Sequence, residues 1–471
     1  MSDTAMTFER RDSSSLTIDM LPDDVLLKIF AFYVDETQWM DGCQWRLLVH
    51  VCRKWRNTVL GSPYHLDLRL VHTEKTLMRK TLEVWPPLPI AIEGDYYSKT
   101  GRDNLIATLE HQDRVCGIKL WYISGSLWER VLAVMQVPFP KLTYLDFWFT
   151  DEVASVVPDS FLGGSAPRLR KLALNGASFL GLPKLLLSTP DLVELSLRNI
   201  FHSGYISPEE MVDCLSTLTR LKELDLTFKY ALPRPDPESL RPTRPPPPTR
   251  TLLPSLTDFW FDGASGYLDD FVARIDAPLL NRTMIGFFHQ ATFDTPQLRQ
   301  FISRIPHLRA RDEARVLISD DKVSITLPGP FNYGLDLEVR CGRLDLQLAF
   351  VAQACSSCFP QALIATVERL YVWYWPDDRP DNVENSKWLQ LLRPFAAAKG
   401  LYLSRRLVPC ISGALQELSG ERVTEVLPAL EGLFVEEIDP SGSDERAFEP
   451  FIAARQLSGR AIAICDWDGE T

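Results

Sequence analysis

One phrase recurs through the middle of this chain and limits what it can fold into: a proline, a leucine two residues on, then an apolar pair with a single residue between its members. It reads Pro140, Leu142, Leu145, Phe147, then Pro167, Leu169, Leu172, Leu174, then Pro190, Leu192, Leu195, Leu197. Thr219 takes the proline's place before Leu221, Leu224 and Leu226, and Pro254 precedes Leu256, Phe259 and Phe261. The anchors at 140, 167, 190, 219, 254 and 278 lie 27, 23, 29, 35 and 24 residues apart. Weaker copies stand upstream at Val115, Ile118 and Leu120, and downstream at 278–280, 367–372 and 428–435. Units of this kind cannot bury their own apolar faces and must stack on one another.

Within each unit, alternation of apolar and polar residues gives a short strand with one buried face. The proline ends the preceding helix and biases the residue before it toward extended backbone. Helical stretches lie between: Ser207 reads as a cap and Pro208 as the first helical residue, and 267–275 and 297–305 have the same character. This LxxLxL core, at a period of roughly 20–29 residues, resembles leucine-rich repeats. A doubly wound sheet with short helices competes with it, but gives no reason for a proline before each LxxLxL.

The 35-residue step has a visible cause in 231–254, which is proline-dense and basic and predicts an extended or disordered insertion. A PxxP-type ligand is its functional reading, a plain insertion the simpler one. Regularity fades from Pro306 to Leu346, where 309–315 is too charged for a buried strand while 316–318 and 323–327 read as strands. The longest uncharged run, 346–367, is too rich in Gln and Ser to cross a membrane and predicts a buried helix, a turn at 358–360 and another helix. A polar loop is expected at 377–385. From Asp439 onward, Phe448, Phe451, Ile452 and Leu457 predict a last amphipathic helix, with a strand at 461–464 closing the stack.

The other informative stretch is Leu21 to Leu70. Pro22 suits a first helical turn and Asp23 and Asp24 sit where the helix dipole favours negative charge. Val25, Leu26, Ile29, Phe30 and Tyr33 make one apolar stripe, and Trp45, Leu48, Cys52, Trp55 and Val59 a second. The spacing predicts one helix over that second run, ended at Gly61-Ser62-Pro63, and a short third helix beyond. So much apolar area on so small a module suggests a partner.

Here the sequence resembles an F-box, the adaptor-docking module of SCF-type cullin-RING ubiquitin ligases. Leu21, Pro22, Asp24, Val25, Leu26, Ile29 and Phe30 match in the first half, and Leu48, Val51, Cys52, Arg53, Trp55 and Arg56 in the second. The joint from Val34 to Gln44 is longer than the pattern. The resemblance implies an adaptor interface on Leu21, Pro22, Val25, Ile29, Leu48, Val51, Cys52 and Trp55.

The net charge of −12 argues against a nucleic-acid or anionic-membrane surface. Nine scattered cysteines and a polar opening segment suggest a reducing compartment, cytoplasm or nucleus. No phosphate-cradling GxxxxGK[ST], HExxH or GxSxG motif is present. Cys355 and Cys358 form a lone CxxC, for which a zinc site needs two further ligands. No cofactor, metal or enzymatic activity is expected.

What remains is the strand face opposite the buried leucines, the concave face of such a stack. It carries Trp121, Tyr144, Asp146, Trp148, Glu194, Arg198, Glu223, Asp225, Asp258, Trp260, Asp262, Tyr371 and Trp373. Aromatic and acidic, this set reads either as a docking surface for a basic target protein or as strand residues stacking on their neighbours.

The expected fold class is α/β, a small N-terminal three-helix F-box module followed by an irregular leucine-rich-repeat solenoid, or horseshoe. The expected boundaries are a disordered tail at 1–18, the F-box-like domain at 19–70, a linker and first joint at 71–114, the repeats at 115–437 with the insertion 231–254, and a cap at 438–471. The two halves together resemble fungal F-box/leucine-rich-repeat proteins. That implies a substrate receptor, bound to a ligase adaptor and through it to a cullin, with ubiquitin chemistry on other subunits. A non-ligase scaffold is the alternative, and an enzyme with a site built from 306–385 the more distant one.

Overall fold

The computed structural model describes residues 18–41, 45–63, 65–76, 78–150, 157–176, 181–201, 204–229, 249–288, 294–330, 334–376, 383–418, 420–438 and 442–468. The chain divides into two compact units, Met1–Leu120 and Trp121–Thr471. Most of the N-terminal tail, most of the proline-rich insertion and most of the 377–385 loop lie outside the described residues.

The first unit begins with helices α1 (Asp23–Asp41), α2 (Trp45–Val51) and α3 (Arg53–Gly61). Three helices are present, but they divide the chain differently from the pattern of apolar residues. The second stripe is broken at Cys52, whose extended backbone and sulfur cap α3 by accepting the Trp55 N–H at 3.4 Å. Residues 65–67 are turn rather than a third helix, and most of the Val34–Gln44 joint continues α1. Leu26, Phe30, Trp45, Val49 and Val59 are buried, and the Phe30 and Trp55 rings lie 4.7 Å apart. Lys54 Nζ donates to the Leu21 carbonyl at 2.8 Å, tying α3 to the entrance of α1.

The stretch expected as a linker and first joint of the solenoid carries parallel strands joined by helices. Strands β1 (Leu70–His72), β2 (Ile90–Gly94) and β3 (Val115–Ile123) pair in parallel, Leu70 beside Ile90 and Ile90 beside Val115. Helices Met78–Val84 and Lys99–Leu109 connect them, the second capped by Ser98.

In the second unit each repeat supplies one strand. They are β4 (Tyr144–Phe149), β5 (Lys171–Asn175), β6 (Glu194–Ile200), β7 (Glu223–Phe228), β9 (Asp258–Gly263) and β11 (Arg282–Phe287), with the two-residue β8 (Thr251–Leu252) and β10 (Ile275–Asp276) paired apart from them. After β12 (Glu313–Ile318), β13 (Lys322–Pro328) and β14 (Gly334–Arg340) come β15 (Arg369–Tyr374), β16 (Gly400–Leu403), β17 (Gly432–Glu436) and β18 (Ala463–Trp467). From β4 the sheet order is β4-β5-β6-β7-β9-β11-β14-β13-β12-β15-β16-β17-β18. Among the described residues, every pairing from β4 onward is parallel except the two made by β13. This is a mixed α/β fold with a long, mostly parallel sheet, consistent with a repeat solenoid. The irregular region is thus a meander that enters the sheet in reverse order and restores its polarity.

The repeat phrase is visible in three dimensions. Leu145 and Phe147, Leu172 and Leu174, Leu195 and Leu197, Leu224 and Leu226, and Phe259 and Phe261 are all buried. Ser207 Oγ accepts the Glu210 N–H at the start of helix Pro208–Leu215. Caps also pass between repeats: Asp269, on helix Ser265–Val272, accepts the N–H groups of Gln297 and Leu298 at 2.9 Å each, opening helix Pro296–Arg304. The 346–367 run is the helix Leu344–Gln353, a π-helical turn Ala354–Cys358 and the short helix Gln361–Ile364. The helix Ser443–Leu457 leads into β18.

Candidate functional site

Strand alternation sends every second side chain of the second unit to the face opposite the leucines, and parallel register aligns them into rows. One row runs Tyr144, Lys171, Glu194, Glu223, Asp258 and Arg282. The next runs Asp146, Ala173, Ser196, Asp225, Trp260 and Met284, and a third carries Trp148, Asn175 and Arg198. Trp121, on β3, and Trp260 are half-buried, while Trp148 is exposed.

The acidity of this face is largely answered within it. Lys171 Nζ lies 2.6 Å from Glu194. Asp225 accepts from Arg198 Nε at 2.5 Å, from Ser196 Oγ at 3.2 Å and from Thr227 Oγ1 at 2.9 Å. Asp146 accepts the Trp148 indole N–H at 2.8 Å, and Asp262 pairs with Arg340 at 2.5 Å. The Arg282 guanidinium sits 5.6 Å from the Trp260 ring. Burial raises the Glu223 carboxyl, and Glu194 and Asp258 on either side push it the same way. Asp146, Asp225 and Tyr371 are buried, so they hold the face in shape rather than present themselves to a partner.

Further along the sheet lies an aromatic ladder of which the repeat phrase revealed only part. Tyr371 stacks on Tyr402 at 4.2 Å and Tyr402 on Phe434 at 4.3 Å, nearly parallel, while Trp373 stacks on Tyr371 at 5.3 Å. Arg315 approaches the Tyr371 and Trp373 rings at 6.0 and 5.9 Å, and Trp467 meets Tyr402 edge-on at 5.4 Å. The rungs are one strand apart because Tyr371, Tyr402 and Phe434 are in register. Gly400 and Gly432 leave room for them: a Cβ at Gly432 would stand 2.8 Å from the Phe434 ring, and one at Gly400 2.9 Å from that of Tyr402. The missed signal is the twice-written Gly-Leu-aromatic-aliphatic at 400–403 and 432–435.

On the helical module, Val25, Ile29 and Phe32 are 36%, 42% and 75% exposed. They fall on one stripe of α1, at i, i+4 and i+7. Leu47 and Val51 are exposed at i and i+4 of α2. Pro22 is exposed, and Leu21, Cys52 and Trp55 are half-buried. Leu48 is buried and supports the module from inside, while Phe32 and Leu47, absent from the motif, are at the surface.

Cys355 and Cys358 are buried, and burial raises both thiols, Cys358 to about 11, even though Thr295 Oγ1 donates to its sulfur at 3.2 Å. That environment opposes the thiolate a metal or a nucleophile needs. Among the described residues no helix is long and apolar enough to cross a membrane.

No family model matches the chain, and no curated protein matches it. Among solved structures, the leucine-rich repeat-containing protein LegL7 from Legionella pneumophila is similar over 70% of this chain and 94% of its own, at 16% identity and a TM-score of 0.29. The solenoid reading stands on the strand ladder and its register.

Proposed function

We propose that this chain is the substrate receptor of an SCF-type ubiquitin ligase, docking the adaptor subunit through its helical module and holding a target protein on the open strand face. The observation that carries this reading is the apolar stripe Val25, Ile29 and Phe32, left at the surface of a helix whose adjoining face buries Leu26 and Phe30. Large side chains aligned in this way favour a second protein over water. In this role the chain supplies proximity, bringing a target lysine to the conjugating enzyme, and the chemistry belongs to other subunits. A non-ligase scaffold would use the same stripe for a different partner.

The test is capture of a purified SCF adaptor subunit by the full chain. Binding should fall at least about tenfold for Ile29→Asp and for Phe32→Asp, and stay unchanged for Trp260→Ala on the strand face. If the wild-type chain fails to bind where another F-box protein does, the receptor reading is wrong.

A further inference from the structure

The side of the second unit opposite the open strand face has an unassigned groove of about 1040 Å³ among helices Pro296–Arg304, Leu344–Gln353 and Asn385–Leu392. Among the described residues, its only charged lining residues are Arg299 and Arg393, in a chain whose net charge is −12. Arg393 shares its charge with Glu425 at 2.7 Å. The Arg299 guanidinium makes one long bond, 3.5 Å to the Ser356 carbonyl, and meets no carboxylate within 4.0 Å among the described residues. The amides of Gln353, Gln361 and Gln390 also line the groove and have no hydrogen-bond partner among the described residues. Ala349 and Ala352 form part of a low floor beside them. The π-helical turn Ala354–Cys358 makes one wall, and such widened turns recur at functional positions.

Unpaired amides can donate to and accept from the backbone of an extended chain, an alanine floor admits small side chains, and an unneutralised guanidinium selects a carboxylate. We propose that this groove binds an acidic peptide segment of a partner protein, read by Arg299 with Arg393 at its edge. It is a second docking surface, separate from the strand face and independent of the ligase reading.

The test uses the full chain and a fluorescein-labelled Glu-Ala repeat peptide of about twelve residues, with its Lys-Ala counterpart, followed by anisotropy at low salt. The Glu-Ala peptide should bind at least about tenfold more tightly than the Lys-Ala peptide. Arg299→Gln should weaken it about fivefold or more, and Ala349→Trp, which fills the floor, should remove it. Gln361→Trp at the exposed rim replaces Ala349→Trp if circular dichroism shows that variant misfolded. Equal binding of the two peptides, no Glu-Ala binding up to about 1 mM, or binding indifferent to both kinds of variant overturns the proposal.

Discussion

Asp225, only 5% exposed, accepts Arg198 Nε from the neighbouring strand on its carboxylate at 2.5 Å. Ser196 and Thr227 complete its shell, so the acid is the hub and the arginine one spoke. Removing the hub strands several donors; removing the spoke leaves a carboxylate that keeps two. Asp225→Ala should therefore cost about 2–3 kcal/mol and Arg198→Ala only about 1 kcal/mol in urea unfolding. Equal losses would show that the ion pair, not the shell, holds these strands.

Asp269 gives a prediction of opposite sign to the usual acid. Burial lifts its carboxyl from 3.8 to about 6, although the Leu298 and Gln297 N–H groups pull it down. The folded state then holds a proton that the unfolded chain has released, so the contribution of Asp269 to stability falls as pH rises from about 4 to about 6. Asp269→Asn keeps the accepting oxygen and should erase that part of the slope. Asp269→Ala should lower the melting temperature at every pH, because the cap itself is lost. Paired thermal melts of the three proteins decide it.

His72 acts in the ordinary direction. It is buried in the first unit, its Nδ1 lies 2.9 Å from the Tyr96 hydroxyl, and burial lowers it from 6.5 to about 4. The neutral ring's contribution is complete above 6.5 and is lost as pH falls toward 4, because the unfolded chain takes up the proton first. The full loss is on the order of 3 kcal/mol. His72→Phe should flatten the profile between those limits, and an unchanged slope would place the titrating group elsewhere.

The aromatic ladder depends on two missing side chains. Gly432→Ala puts a methyl 2.8 Å from a Phe434 ring that Tyr402 holds at 4.3 Å, so the ring has little freedom to retreat. The substitution should cost about 1–3 kcal/mol by overpacking. Near-ultraviolet circular dichroism should change with it, and pairing Gly432→Ala with Phe434→Leu should recover part of the loss.

The repeats were legible in the sequence because each strand announces itself locally through a proline, a spacing and an alternation. Ser207 and Pro208 could be placed for the same reason. The reversed order of β12, β13 and β14 was not legible, since nothing in Val323 or Leu335 states which strand it will pair with; that is settled by contact between distant segments. Cys52 was misread as a mid-helix residue because its sulfur caps α3 while its spacing fits the stripe. On the open face the residue types were readable but their pairings were not, and so Asp146 and Asp225 looked available when they are internal supports.

The reversed meander also has a kinetic consequence. In a simple stack each strand leans only on the strand made just before and just after it, so unfolding can start at an end and run inward. Here β11 closes on β14, and β12 waits for β15, so neighbours in space are separated by whole segments of chain. The meander works as a clasp between two runs of repeats: fraying that begins at either end must stop there or open both pairings of β13 together. Amide exchange should show two zones of graded protection meeting at a slow-exchanging band over 313–340.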